Sequence, residues 1–251
     1  MTKINNYLSL PARTQKPRES GLTCIHDVQL NRAELTYLLD DFSSYLDVAK
    51  LGIGTAYVTP HLKDKIGVYK KFDIDVYFGG TLFEKFYHQN KVNEYKQFLE
   101  NMGISTVEIS CGTIDLSLEE RVYLVEDFKS NFTVLSEVGS KDAEKIMPPS
   151  VWIHEMKTLL NAGCKYVIAE GRDSGTAGLY RPNGELRSGL AAEIFNEIPK
   201  DKVIFEAPTN QCQMFFINHV GANVNLGNVK PQDLLVLETQ RQGLRSETFY
   251  N

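Results

Sequence analysis

Three glutamates, Glu137, Glu170 and Glu206, each stand where a short apolar run gives way to small or polar residues. Apolar runs of that length read as buried strands, so the three carboxylates end three successive strands and can converge. Unpaired and side by side they would repel one another and raise their pKa values. A hard divalent cation relieves that repulsion, and Mg2+ takes one or two carboxylates together with water and substrate oxygens. The alternative is scaffolding, in which each glutamate pairs with a neighbouring Lys or Arg, since ion-pair networks populate the same kind of place. Lys50, Lys141 and Arg172 stand at strand ends of the same type, next to glycines. Such side chains are usually solvated. Here their company suits an anionic substrate, because glycine lets backbone N–H groups approach phosphate oxygens closely. The stretch Val167-Ile-Ala-Glu-Gly-Arg-Asp-Ser-Gly-Thr-Ala-Gly178 condenses the pattern: an apolar half, then an acid, an arginine and three glycines.

Groups so far apart in sequence meet only if the elements carrying them repeat. Strand-like runs fall at residues 22–25, 47–51, 74–78, 106–110, 132–136, 166–169, 202–205 and 223–226. Each is followed by an amphipathic stretch, at about 31–46, 61–72, 82–101, 117–130, 149–162, 186–196, 210–219 and 231–242. Strands alternating with helices imply parallel crossovers, and eight such units in ~250 residues predict a single-domain (β/α)8 TIM-type barrel. An open doubly wound sheet needs fewer strands and is the competing architecture. No glycine-serine or proline-rich linker divides the chain, so one domain is expected over 1–251, with a short N-terminal arm over 1–20.

Barrel chemistry is expected at the C-terminal strand ends. That rim comprises Asp27, Lys50 to Thr55, Gly79 to Thr81, Ser110 with Gly112, Glu137 to Lys141, Glu170 with Arg172 and Ser174, Glu206 to Pro208, and Asn225 to Asn228. Leu226-Gly-Asn-Val229 follows the last predicted strand, where barrels frequently place a phosphate. The lone GxG at Gly52–Gly54 is weak evidence for a nucleotide.

Bulk composition excludes several function classes. Net charge is −5, from 27 basic and 32 acidic residues, which gives no footprint for nucleic acid or an anionic membrane. Any anionic ligand must be held by local cations. Cys24, Cys111, Cys164 and Cys212 are scattered without CxxC spacing and read as reduced thiols. The N-terminal residues lack the apolar core of a signal peptide, so a cytoplasmic protein is expected. The five histidines form no HExxH or close pair, and only His26 lies near a strand end. Cys111 follows the fourth strand but has no base that sequence can assign to it.

The chain resembles the phosphosulfolactate synthase family, which adds sulfite to phosphoenolpyruvate. The matching stretches are Pro17-Arg-Glu-Ser-Gly21, Lys50-Leu-Gly-Ile-Gly-Thr55, Gly79-Gly-Thr-Leu-Phe-Glu84, Ser136-Glu-Val-Gly-Ser-Lys-Asp142, Ile168-Ala-Glu-Gly-Arg-Asp-Ser-Gly175, Ile204-Phe-Glu-Ala-Pro208, Val224-Asn-Leu-Gly-Asn-Val229 and Leu237-Glu-Thr-Gln-Arg-Gln-Gly-Leu-Arg245. They run in family order over nearly the whole chain. The resemblance implies a (β/α)8 barrel, Mg2+ dependence, and conjugate addition giving (2R)-2-O-phospho-3-sulfolactate. It implies Lys141 as the acid that delivers a proton. Arg172, with the Gly227–Asn228 stretch, is the candidate for phosphate, and Lys50 for sulfite or the substrate carboxylate. Asn225 and Ser174 join them as candidate substrate contacts, and Glu137, Glu170 and Glu206 as metal ligands. Two residues depart from the family pattern. Ile53 stands where a tryptophan is common, and Asp173 where a glutamate is common, so a different nucleophile is one alternative. A non-catalytic interaction factor, as in a plant stress-related branch, is another. Barrels of this kind often associate, so a homo-oligomer is expected.

Overall fold

The computed structural model describes residues 7–142 and 146–250. Eight strands run β1 (Thr23–Asp27), β2 (Val48–Leu51), β3 (Asp75–Phe78), β4 (Thr106–Ile109), β5 (Thr133–Val138), β6 (Tyr166–Ala169), β7 (Val203–Glu206) and β8 (Leu226–Val229). Between and after them come α1 (Arg32–Phe42), α2 (Thr55–Val58), α3 (Leu62–Lys71), α4 (Gly80–His88), α5 (Val92–Met102), α6 (Leu118–Phe128), α7 (Pro149–Ala162), α8 (Ser188–Glu197), α9 (Asn210–Val220) and α10 (Leu234–Arg241). The strands pair in parallel in the order β3-β2-β1-β8-β7-β6-β5-β4. The first and last strands are therefore neighbours, as in a (β/α)8 barrel, and the doubly wound alternative drops out. No backbone ladder joins β3 to β4 among the described residues. Side chains stitch this seam instead: Thr106 Oγ1 donates to Asp75 Oδ2, and the Gly80 N–H donates to Glu108 Oε1 at 2.6 Å.

Alternation along each strand decides which residues share a layer. Ile25, Val76, Val107, Val167 and Phe205 belong to the large apolar core between the strands and the helices. The other strand face turns inward, where Cys24, Tyr77, Leu135, Ile168 and Ile204 form a small separate apolar cluster. Burying each large apolar side chain contributes roughly 1.5–3 kcal/mol. Local sequence starts the helices where the pattern expects. Asn31 with Glu34 and Ser117 with Glu120 form capping boxes ahead of α1 and α6, each cap worth roughly 1 kcal/mol.

Several boundaries differ from the sequence reading. The helix expected over 82–101 is two helices, α4 and α5, because Asn90 takes a left-handed conformation (φ 56°) between them. β8 begins where the strand expected over 223–226 was to end. Gly227 and Asn228 look like loop residues but lie within the strand. There the β1 ladder skips a residue, pairing Thr23 with Leu226 and Ile25 with Val229. The extra residue is absorbed as a bulge with Asn228 at φ 52°.

The described part of the N-terminal arm, residues 7–20, crosses the N-terminal end of the barrel; residues 1–6 of the expected arm lie outside the described residues. Arg13 meets Glu238 at 3.3 Å and Arg18 meets Asp47 at 3.0 Å, which ties the arm to α10 and to the start of β2. A cavity of about 690 Å³ lies between arm and barrel floor, remote from the strand C-termini.

Candidate active site

The inward layer above the apolar cluster is charged. Lys50 on β2 pairs laterally with His26 on β1 and Tyr77 on β3. Its Nζ lies 3.1 Å from Glu108 Oε2, 3.1 Å from Glu206 Oε1 and 3.9 Å from Glu137 Oε2. Lys141, in the loop after β5, reaches the same layer from above. Its Nζ lies 3.2 Å from Glu137, 3.8 Å from Glu170 and 3.9 Å from Glu84. A cavity of about 280 Å³ opens over this layer, lined by His26, Lys50, Glu108, Glu137, Lys141, Glu170, Arg172 and Glu206, and at its mouth by Ile53, Asp173 and Asn228.

The acids outnumber the cations, and their protonation follows from burial and neighbours. Burial raises Glu170 well above the ordinary carboxylate range, and the charges of Glu137 and Glu206 add to the effect. Glu137 is equally buried, yet the Lys141 ammonium, a hydrogen bond with Glu170 and Lys50 outweigh that burial and hold it at about 2. Of these neighbours, Glu170 is therefore the one whose environment favours the protonated form. Burial also raises Glu108, against the pull of Lys50. Both lysines stay charged. Burial would lower them, but Glu108 and Glu206 raise Lys50, and Glu137 and Glu170 raise Lys141. His26 is pushed down to about 4 by burial and by Lys50, so its imidazole is neutral at pH 7.

The loop after β6 is shaped by two glycines. A Cβ on Gly178 (φ +62°) would stand 2.1 Å from the Glu170 carbonyl oxygen, and one on Gly171 would stand 2.9 Å from that of Glu206. Both contacts are with backbone and cannot be relieved by a side-chain shift. The tight return lets Leu179 N–H bond the Glu170 carbonyl at 2.8 Å and Gly171 N–H bond Glu206 Oε2 at 2.9 Å. Three non-glycine residues of the pocket are left-handed: Ile53 (φ 45°), Arg172 (φ 54°) and Asn228 (φ 52°). For a β-branched residue this conformation is unfavourable by roughly 1–2 kcal/mol, and such strain gathers at ligand sites.

The structure brings Glu137, Glu170, Glu206, Lys50, Lys141, Arg172 and Asn228 into one pocket. Three other candidates lie outside that pocket. Asn225 precedes β8 at the far end of the barrel, where its buried amide bonds the Leu22 N–H and the carbonyls of Asp201 and Val203. Gly227 is a ladder residue within β8, its carbonyl accepting from Ala207 N–H at 2.8 Å, and it does not line the pocket. Ser174 is exposed and bonds Thr176 at 2.6 Å outside the pocket. Asp27 is also engaged elsewhere, by Lys65 and Tyr69. Two buried acids escaped the sequence reading. Glu108 lies inside β4 and Glu84 on α4, away from the strand ends where acids were sought. For Glu108 a signal existed, an acid set between the apolar Val107 and Ile109 in the middle of a strand-like run.

A family model described as (2R)-phospho-3-sulfolactate synthase (ComA) matches residues 11–247. The chain is 41% identical over 254 residues to the phosphosulfolactate synthase of Bacillus subtilis (strain 168), covering 98% of this chain and 100% of that one. It is 38% identical over 245 residues to the phosphosulfolactate synthase of Methanothermobacter thermautotrophicus (strain Delta H), covering 95% of each. Among solved structures, the 3-hexulose-6-phosphate synthase of Salmonella typhimurium superposes with a TM-score of 0.54 at 12% identity, over 87% of this chain and 99% of that one. That likeness concerns the barrel scaffold alone.

Proposed function

We propose, on the premise that the chain belongs to the (2R)-phospho-3-sulfolactate synthase family and is an enzyme of that kind, that its charged barrel mouth adds sulfite to phosphoenolpyruvate with the help of Mg2+. The observation that carries this reading is the convergence of Glu137, Glu170 and Glu206 with Lys50 and Lys141 in one buried pocket. Oxygens of the three glutamates lie within 4.8 Å of one another. Apart from the hydrogen bond between the two carboxyls, Glu137 Oε1 and Oε2 and Glu170 Oε2 are buried without a hydrogen-bond partner. An all-carboxylate donor set suits a hard cation, so these residues fit Mg2+ and are the ones that would hold it. When bound, the cation supplies Lewis-acid stabilisation of the substrate carboxylate.

The chain's own residues supply the rest. The two substrates are both anions, so they meet only where cations offset their repulsion and fix their approach. Lys50, rising from the pocket floor, takes the role of meeting sulfite or the substrate carboxylate in this reading, and Arg172 at the rim that of meeting the phosphate. Attack of sulfur on the methylene carbon moves negative charge into the carboxylate as an enediolate. Lys141, charged and only partly exposed, then gives its proton to the neighbouring carbon. The product is (2R)-2-O-phospho-3-sulfolactate. Neutral His26 adds no charge to the wall beside Lys50.

Phosphorus NMR tests the reading directly. Phosphoenolpyruvate incubated with sulfite, Mg2+ and the protein is expected to be converted to a single saturated phosphoester. An unchanged substrate at high protein concentration would sink the proposal. Ile53, 60% exposed at the pocket mouth, leaves room for a larger nucleophile than sulfite. Turnover of other small nucleophiles in the same assay, with none for sulfite, would select that second reading.

A further inference from the structure

Glu84 lies on α4, outside the strand layer that forms the pocket floor, and is 1% exposed. Four hydrogen bonds to its carboxylate come from one loop, the segment that follows β4, and Lys141 Nζ lies 3.9 Å from its Oε1. Oε1 accepts from the Ser110 hydroxyl and from the Gly112 N–H at 3.1 Å, and Oε2 accepts from the N–H groups of Thr113 at 2.7 Å and Ile114 at 3.1 Å. Four donors from five consecutive residues thus converge on one side chain, and loss of any one leaves a buried polar group unmet. The loop held in this way runs along the stem of Lys141. A Cβ on Gly112 would stand 2.5 Å from Lys141 Cδ and 2.8 Å from its Cγ and Cε. The backbone at Gly112 is therefore a wall against the lysine's methylenes, and the ammonium beyond it points at Glu137 and Glu170.

The geometry points to Glu84 as a positioning residue that acts through Lys141: by clamping residues 110–114 it sets the height and direction of the lysine over the pocket. This rests on the reading of Lys141 as the proton donor. A lysine stem has four rotatable bonds and scatters its ammonium unless walled in. Displacement of a reacting group by about 1 Å costs up to about 10²-fold in rate. Glu84→Gln keeps the shape but turns an NH2 group towards two N–H donors, so the clamp loosens while the helix remains.

Steady-state kinetics of the full chain, with phosphoenolpyruvate, sulfite and Mg2+, test this in a double-mutant cycle of Glu84→Gln and Lys141→Ala, with thermal melting to verify folding. Glu84→Gln is expected to lower kcat by about 10-fold or more with both KM values within about 2-fold, the mark of a group that acts on the chemical step. In the Lys141→Ala background the same substitution is expected to change kcat by less than about 2-fold, since the residue it positions is gone. Gly112→Ala, which pushes on the lysine stem from the same wall, is expected to reproduce the kcat loss and serves if Glu84→Gln does not fold. An unchanged kcat in Glu84→Gln, or its full loss repeated on top of Lys141→Ala, would overturn the inference while leaving Lys141 as the acid. A full rate in Lys141→Ala alone would overturn the Lys141 assignment itself, and the inference with it.

Discussion

Replacing Lys50 with methionine isolates what the buried ammonium does. Methionine retains most of the stem but removes the charge lying 3.1 Å from Glu108 and 3.1 Å from Glu206. At an effective dielectric of ~20, a unit charge pair at that distance is worth about 5 kcal/mol before the cost of burial is deducted. Breaking such a pair by removing one partner typically costs about 3–5 kcal/mol, because the other charge stays buried. In a chain of this size about 2–4 °C of melting temperature is lost per kcal/mol, so a fall of about 6–20 °C at neutral pH is expected. The pH dependence has a definite sign. Glu108 is already raised by burial against the pull of Lys50, and without that ammonium it is pushed further above its unfolded value. A carboxyl raised in the folded state stabilises below its unfolded pKa and loses that contribution as pH rises through the folded value. The deficit of the variant should therefore be small at pH 5 and large at pH 8, measured by scanning calorimetry without added divalent cation. Melting within about 2 °C of the parent at both pH values would refute the reasoning, since by the same conversion it leaves less than about 1 kcal/mol to the ammonium.

Two further outcomes follow from the same pocket. Glu170 is held well above the carboxylate range by burial and by Glu137 and Glu206, so a cation that binds there must expel its proton. Mg2+ affinity measured by calorimetry should rise with pH in the parent. In Glu170→Gln it should be weaker by about 10-fold or more, with a flatter pH slope; unchanged affinity and slope would remove Glu170 from the cation site. Ile53→Gly should melt no lower than the parent, because relief of roughly 1–2 kcal/mol of left-handed strain offsets the roughly 0.5–1 kcal/mol entropic cost of glycine. A fall of more than about 4 °C, above 1 kcal/mol for this size, would mean that the exposed side chain makes contacts beyond those its 60% exposure suggests.

The alternation of apolar runs with amphipathic stretches was enough to settle the architecture. Eight parallel strands with helices between them have one closed solution, and capping residues such as Asn31 and Ser117 mark where helices start. Strand-end glutamates and lysines were legible for the same reason, since a charge that ends a buried run has few other places to go. Asn225 and Gly227 were misplaced because an apolar Val224 before the strand and a bulge within it look, in one dimension, like a strand and its loop. Glu108 was missed because its place depends on which face of β4 turns inward, and Glu84 because it reaches the pocket's surroundings from a helix. Tertiary structure alone decided how the charges divide, with Lys50 seated between Glu108 and Glu206 and Lys141 over Glu137 and Glu170. Sequence carries the type and order of these groups. Their protonation and direction depend on separations of 3–4 Å between groups such as Lys50 and Glu206 that are distant along the chain, and only barrel closure sets those distances.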